Sequence, residues 1–391
     1  MYFALTDEQR ALGVTVRDYL EDRFDLKAVR AVFEDAEGNG HPAELWKAVG
    51  DQGWAAVLVP EEHGGLGLGL VDAQVVARAF GAGVVPGPWL PTVLAGEAVR
   101  LAGSDEQKAS LLPRVAAGSL VATVALRGPA GRYDPSGVQV SADSSGRLTG
   151  SALPVEYAEV ADAVVVAATE PAGGAEPAGG AEPAGGAEPE REVGLYLVDP
   201  RSPGVTVSRL DSYDGTVRTA SVVLDGVGAE RLPGSSTAVL TELFDRAAVL
   251  TAADLVGLAR QALSRTVAYD TDRVQFGRPV GSFQALKHHL ADLHVAVTMA
   301  EHAVLYAAHA LDVGLADRRL AVAVAKSKAG DTAREVTATM IQYHGGIGYT
   351  WEHDSHFFYK RAKREVYSYG DPIQHRERVA ALTIDTPTTS G

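Results

Sequence analysis

The sequence predicts an α+β protein whose helical and β segments occupy separate stretches of the chain. Residues 1–119 show helical periodicity, residues 120–235 contain short β-branched runs between Gly, Pro, Asp and Ser, and residues 236–391 return to long helical patterns. This order indicates separate domains, because alternating βαβ units would mix the two patterns along the chain. We therefore predict an N-terminal helical domain, a central β domain and a C-terminal helical domain.

The N-terminal domain carries a helix start signal. Thr6 precedes an apolar helical pattern, and Gln9 lies three positions later, as in a capping box. Further helices are predicted over residues 43–49 and 71–80, and the Gly-rich stretch 60–67 is predicted to be a loop. Irregular chain is predicted around Pro86, Pro88 and Pro91.

The other two domains are predicted from runs of different length. Strands are predicted at 120–126, 138–140, 163–168, 193–198, 204–209 and 219–224. Helices are predicted at 237–271, 283–313, 317–341 and 357–367.

A hexapeptide repeat, Glu-Pro-Ala-Gly-Gly-Ala, runs from Glu170 to Ala187. Because it is short and rich in Gly and Pro, we interpret it as a solvated hairpin extension of the β domain and not as a solenoid.

Composition and charge exclude several classes of protein. The 391 residues are 46% hydrophobic, which is incompatible with disorder across the whole chain. The formal charge of −15 argues against nucleic acid and anionic membrane surfaces as partners. The absence of cysteine excludes disulfides, thiolate catalysis and iron–sulfur clusters. No membrane span or signal peptide is visible, so a cytoplasmic location is expected.

Two Gly-rich segments interrupt the C-terminal helices and are candidate binding sites. Residues 269–284 combine arginine with phenylalanine, a set that suits a phosphorylated aromatic cofactor, because guanidinium groups bind pyrophosphate and rings stack on a heterocycle. Residues 342–354 hold glycines that would let backbone N–H groups approach a ligand. The alternative for each segment is an ordinary helix corner. Histidine spacing gives no diagnostic third metal ligand, so no metal site is predicted.

Taken in order, these and other motifs resemble the acyl-CoA dehydrogenase family over nearly the whole chain. The most specific stretches are Arg-Val-Gln-Phe-Gly-Arg-Pro at 273–279 and Gln-Tyr-His-Gly-Gly-Ile-Gly at 342–348. Further matches lie at 5–9, 59–67 and 103–107. The stretch 346–354 resembles an actinobacterial-type subgroup, some of whose members work as pairs of unlike subunits.

The resemblance implies a central β-barrel-like domain, a C-terminal four-helix bundle, and FAD bound between domains and across a subunit interface. It also implies a dimer or tetramer, an acyl thioester substrate carried by CoA or a carrier protein, and an electron-transfer flavoprotein or similar electron acceptor. The matched positions imply that FAD is bound by Arg273, Gln275, Phe276, Phe283, Gln284, Gln342, His344, Gly345, Gly346 and Asp371.

The sequence departs from the family at the catalytic base. The family's Glu-Gly-Thr turn matches Tyr-Gly-Asp at 369–371, so Tyr369, or Ser368 in an alternative alignment, stands at the glutamate position. A phenol is a poor base near neutral pH unless its pKa is strongly perturbed. Some members carry the base on an earlier helix, where Ala247 matches the position and Asp254 lies two turns further along, about 10.5 Å away. Tyr369 and Asp254 are therefore the catalytic candidates, and a helix-surface role is the alternative for Asp254.

The β domain departs at two segments that contact flavin in the family. The Thr-Glu-Pro loop is replaced by Leu-Arg-Gly-Pro at 126–129, and the Trp-x-Thr strand is replaced near Pro-Val-Glu at 154–156. The resemblance therefore implies the dinucleotide end of a flavin site more firmly than its ring end.

Three functions fit this sequence. The first, which we favour, is an FAD-dependent acyl-thioester dehydrogenase that desaturates the α,β bond with hydride transfer to flavin N5. The second is a non-catalytic or half-site subunit of a heteromeric acyl-CoA dehydrogenase, which the missing glutamate favours. The third is a related flavoenzyme of specialised metabolism, for example in decarboxylative oxidation, where loss of CO2 would make an α-proton base unnecessary.

Overall fold

A computed structural model describes residues 4–129, 131–171 and 192–385. The order of helices, strands and helices confirms the predicted α+β class. Most of the hexapeptide repeat, and with it the predicted hairpin extension, lies outside the described residues. Within the described ranges, no helix is both long enough and apolar enough to cross a membrane.

The first part of the chain is helical. Its helices are α1 (Asp7–Arg23), α2 (Leu26–Glu34), α3 (Ala43–Asp51), α4 (Leu70–Gly83), α5 (Trp89–Ala102) and α6 (Asp105–Ala116). The predicted capping box is confirmed, because Thr6 Oγ1 accepts a hydrogen bond from the Gln9 N–H and the Gln9 side chain accepts one from the Thr6 N–H. The irregular connection predicted at Pro86, Pro88 and Pro91 is confirmed at Pro86 and Pro88 and wrong at Pro91, since Pro91 lies in the first turn of α5, where a missing N–H costs no helical hydrogen bond.

The central part forms a mixed sheet. Its strands are β1 (Ala122–Ala125), β2 (Ser141–Ala142), β3 (Arg147–Glu156), β4 (Ala163–Thr169), β5 (Val193–Val198), β6 (Val205–Leu210), β7 (Thr219–Gly228) and β8 (Glu230–Arg231). The order is β6-β7-β3-β2-β4-β5-β8, and β1 pairs in parallel with β4. The strand predicted at 138–140 is wrong, because pairing begins at Ser141. The long strand β3 escaped prediction because Gly150 and Pro154 interrupt its apolar pattern.

The last part forms a helical bundle around one long central helix. It comprises α7 (Thr237–Asp272), the small hairpin β9 (Val274–Gln275) and β10 (Arg278–Pro279), α8 (Gln284–Asp312), α9 (Arg318–Tyr343), α10 (Ser355–Glu365) and α11 (Pro372–Thr383). Glycines bring α4 and α7 into backbone contact: a Cβ at Gly257 would lie 1.9 Å from the Arg78 carbonyl oxygen, and one at Gly81 would lie 2.0 Å from that of Asp254. This close approach fixes the register between the N-terminal helices and the bundle.

Candidate functional site

The predicted cofactor corner is an exposed hairpin at the end of α7. Phe276 sits at its tip in a left-handed conformation (φ 53°), is 91% exposed, and is followed by Gly277 at φ 75°. The Arg278 guanidinium lies 4.0 Å from the centre of the Phe283 ring. No ion-pair partner of Arg273 is found in the described part of the chain. The hairpin therefore offers unpaired positive charge beside aromatic surface, as an anionic, planar ligand requires.

The two amides predicted at this corner are available to a ligand. Gln275 is exposed, and its side chain donates a hydrogen bond of 2.9 Å to the main-chain oxygen of the neighbouring Val274. Gln284 is exposed at the first position of α8. Neither is held by tertiary contacts that would have to break on binding.

The glycine turn after α9 is joined to the same corner. The His344 ring stacks on Tyr269 of α7, with ring centres 4.4 Å apart, and the Tyr269 hydroxyl donates to the His344 main-chain oxygen at 3.3 Å. His344 Nδ1 lies 2.7 Å from the Met340 carbonyl oxygen, and burial lowers the pKa of this imidazole. Gly345 and Gly346 are exposed, with no atom within 4 Å of an added Cβ. The structure thus brings the two predicted motifs together, with His344 turned inward and the glycines facing outward.

The remaining predicted cofactor residues, Gln342 and Asp371, differ in their hydrogen bonding. Gln342 is exposed near the end of α9. Asp371 caps α11, where its carboxylate accepts a hydrogen bond of 2.7 Å from the Gln374 N–H. In the described ranges, no group of three or more His, Asp or Glu side chains is arranged to hold a metal ion.

The three segments that depart from the family pattern meet around a single small cavity. Its volume is about 20 Å³, which is room for one water molecule. Small-molecule sites usually occupy about 300–1,000 Å³. The cavity is lined by Pro91, Thr123, Val124, Leu126, Arg127, Tyr133, Pro154, Glu156, Ser368 and Tyr369. The space between these three segments is therefore too small for a ring system.

Aromatic rings fill the space around this cavity. The Tyr133 ring lies 5.1 Å from the Tyr369 ring and 6.1 Å from the ring of Phe244 on α7, measured between centres. The Arg127 guanidinium covers Tyr133 at 4.5 Å. Burial raises the pKa of both phenols, that of Tyr369 well above its ordinary value. Tyr369 is therefore a protonated, enclosed phenol near neutral pH, a poor proton acceptor.

A buried ionic cluster lies beneath the aromatic layer. Arg364 of α10 donates to Glu156 at 2.6 Å and to Asp214 at 2.8 Å, and it contacts Glu365 at 2.5 Å. One oxygen of Glu365 has no hydrogen-bond partner, and burial raises the pKa of this carboxyl to about 7. The wall-lining carboxylate of Glu156 is thus tied to a guanidinium and directed to the base of the cavity.

The candidate base Asp254 is engaged elsewhere. It is 6% exposed, and its two oxygens accept hydrogen bonds from Nε and Nη2 of Arg361 at 3.1 and 2.6 Å. Arg361 also donates to the Val85 main-chain oxygen at 2.9 Å. Asp254 does not line the cavity that contains Tyr369. The structure therefore does not bring the two catalytic candidates together, and the base role of Asp254 stays a prediction.

Sequence reasoning named the segments 126–129 and 154–156 as departures from the family, but it did not predict that Arg127 and Glu156 would line one cavity with Tyr369. A charged residue in each segment was the available signal. Tyr133 gave no such signal, because its approach to Tyr369, 236 positions later, depends on the tertiary fold.

Comparisons with known proteins give a consistent result. Residues 6–119 match the family model "Acyl-CoA dehydrogenase, N-terminal domain" and residues 237–381 match "Acyl-CoA dehydrogenase, C-terminal domain". The chain is 32% identical to acyl-CoA dehydrogenase IpdE2 of Mycolicibacterium smegmatis, over 96% of this chain and 99% of that protein. It resembles the ChsE4-ChsE5 complex of Mycobacterium tuberculosis at 27% identity and a TM-score of 0.87, covering 99% of this chain and 100% of the matched chain. It resembles the Tcur3481-Tcur3483 steroid ACAD at 30% identity and a TM-score of 0.84, covering 96% and 97%.

Proposed function

This chain belongs to the acyl-CoA dehydrogenase family, and from that premise we propose that it is the half-site subunit of a heteromeric enzyme. The family consists of FAD-dependent oxidoreductases that act on CH–CH groups. In the proposed complex, this chain supplies residues for the dinucleotide end of an FAD whose ring is held by a second, non-identical family member. This is the second of the three functions that the sequence allowed.

The closed cavity is the observation that carries this proposal. The residues at the dinucleotide end fit FAD, since the hairpin presents unpaired guanidinium and aromatic surface and the glycine turn is open. The residues at the ring end do not fit, because a space of about 20 Å³ cannot hold a three-ring system. A chain that keeps one end of the site and closes the other is suited to sharing a cofactor and not to holding one alone.

The surface beside the glycine turn supports a protein partner. Phe276, Ile347, Tyr349 and Trp351 are 91%, 49%, 88% and 68% exposed. Ile347, Tyr349 and Trp351 lie close together in sequence, and large exposed apolar side chains grouped in this way are typical of surfaces that become buried on association. The likeness to the ChsE4-ChsE5 complex supports a partner from the same family.

The reaction of the proposed complex is desaturation of the α,β bond of an acyl thioester of CoA or a carrier protein, for which bound FAD would supply the hydride acceptor. An electron-transfer flavoprotein or a similar carrier would be the electron acceptor. Because Tyr369 is an enclosed phenol, we place the proton-abstracting base on the partner. Within this chain, Tyr369 and Asp254 are proposed to have packing roles.

Expression with and without a partner tests the proposal. This chain is purified alone with excess FAD, and also after co-expression with each paralogous acyl-CoA dehydrogenase of its source organism. We expect a colourless protein in the first case and, with one paralogue, a yellow complex that an acyl-CoA bleaches. A yellow homo-oligomer that an acyl-CoA bleaches would instead establish the first function, a dehydrogenase acting alone.

A further inference from the structure

Two tyrosines from different parts of the fold meet at the cavity that is lined by the segments departing from the family pattern. Tyr133 comes from the loop after β1, and Tyr369 comes from the turn between α10 and α11. Their ring centres are 5.1 Å apart; Tyr369 is 9% exposed, and Tyr133 is half-buried. Arg127 and Phe244 cover the sides of Tyr133. The two phenol rings therefore occupy space that the backbone itself leaves free.

The turn that carries Tyr369 is held rigidly in place. Tyr369 has a left-handed backbone (φ 55°), which a bulky residue adopts only when its surroundings enforce it. The buried Lys326 Nζ donates to three main-chain oxygens between residues 365 and 370, at 2.9–3.2 Å. His375 Nε2 lies 3.0 Å from the Tyr369 main-chain oxygen. These buried donors fix the turn, so the Tyr369 phenol has a fixed position in the lining of the cavity.

Two residues of opposite charge, Arg127 and Glu156, line the cavity together with the tyrosines. Arg127 lies on one side and Glu156 lies on the other, and the buried Arg127 Nε has no hydrogen-bond partner among the residues that the structure describes. Thr123 fixes the position of Glu156 through a hydrogen bond of 2.6 Å to its main-chain oxygen. An unpartnered buried donor is costly, and it would gain a partner if a polar ring replaced the phenols. Removal of the rings would therefore leave a cavity able to bind a polar aromatic molecule.

We infer that Tyr133 and Tyr369 are the specificity-determining residues that keep a flavin ring out of this chain, and that truncating both opens a site for a planar aromatic molecule. The inference deepens the proposed half-site function and rests on it. It attributes the exclusion of the flavin ring to the side chains of Tyr133 and Tyr369 and not to the backbone.

The test uses a double variant, Tyr133→Ala with Tyr369→Gly. Glycine suits the left-handed position, so this substitution relieves backbone strain while it removes the phenol. Phenol and riboflavin are the probes. We expect phenol to raise the thermal unfolding temperature of the variant but not of the wild type, and riboflavin to bind the variant at least tenfold more tightly. Tyr367→Ala is the matched control, because Tyr367 lies in the same turn but is 60% exposed, and it should behave as wild type.

The possible outcomes distinguish the role assigned to the two tyrosines from the half-site function. A folded double variant that gains affinity for neither probe would overturn the assignment to these tyrosines. If the double variant does not fold, Tyr369→Gly alone is measured with phenol, which matches the one ring removed, and absence of stabilisation there would overturn the role assigned to Tyr369. A wild-type chain that retains FAD without a partner would contradict the half-site function itself. The two failures are thus distinguishable.

Discussion

At the residue scale, the buried and half-buried carboxylates in this part of the fold form ion pairs with arginines. Asp254 is held by Arg361, and Glu156 is held by Arg364. A buried ion pair is weak evidence for added stability, but breaking one by removing a single partner is strongly destabilising, because the other charge is left uncompensated. Substitutions at these positions should therefore affect folding before they affect chemistry.

Asp254→Asn tests this interpretation of Asp254. The change leaves the buried Arg361 without its carboxylate, so we expect the free energy of unfolding to fall by about 3–5 kcal/mol. Urea unfolding measures the loss, and Asp272→Asn, at the exposed end of the same helix, is the control. Turnover of the assembled complex should be unchanged at temperatures where the variant is folded. Lost turnover with unchanged stability would show that Asp254 is the base.

Lys326→Met tests the support of the Tyr369 turn. The substitution removes the donor to three buried main-chain oxygens, so we expect a loss of about 2–4 kcal/mol in unfolding free energy. Lys328→Met, on the exposed face of the same helix, should leave stability within about 0.5 kcal/mol of wild type. Equal stabilities of the two variants would refute the role assigned to Lys326.

At the element scale, the last turn of α7, just before the hairpin, carries a buried carboxylate, that of Asp270. Asp270 is 1% exposed, and within the described part of the chain neither of its oxygens has a hydrogen-bond partner. Burial raises the pKa of this group to about 6. Because the folded chain then binds the proton more tightly than the unfolded chain, stability from this group falls as the pH rises from about 4 to 6.

Asp270→Asn should remove this pH dependence. We expect the variant to gain about 1–2 kcal/mol of unfolding free energy over wild type at pH 8 and to match it near pH 4. Unfolding curves at the two pH values measure the difference, with Asp272→Asn as the exposed control. A variant that is less stable than wild type at pH 8 would show that Asp270 has a stabilising partner.

The same hairpin gives a prediction about cofactor sharing. Arg273→Ala removes an exposed guanidinium with no carboxylate partner in the described ranges, so the fold of this chain should be unaffected. The FAD dissociation constant of the complex should rise about tenfold or more, since a charge-assisted contact contributes about 1.5–3 kcal/mol. Titration of the complex with FAD measures this, with Arg114→Ala as an exposed control on α6. An unchanged dissociation constant would remove Arg273 from the site.

How far the elements could be predicted depended on whether their signals were local. The capping box at Thr6 and the ends of α7 follow from residues a few positions apart, and both were predictable. The long strand β3 was not, because its stability comes from pairing with β7, more than 60 residues later, which outweighs Gly150 and Pro154. The joined hairpin and glycine turn were predictable only as separate motifs.

At the scale of the whole molecule, the filling of the space between the three departing segments is a product of the tertiary fold. The sequence showed that the family's base and its flavin-contacting threonines are missing, but missing residues do not reveal what fills their space. That required the loop after β1, the strand β3 and the turn before α11 to converge on one cavity. Once they converge, the open hairpin and glycine turn, together with the filled space between these three segments, support the proposed role of this chain as a cofactor-sharing subunit.

The flavin content of the assembled complex tests this account most directly. FAD and both polypeptides are quantified in the purified complex of this chain with its paralogous partner. The account predicts one FAD for each pair of unlike chains, and none in this chain purified alone from excess FAD. One FAD for every chain would show that the ring site of this chain opens, and would contradict the central claim.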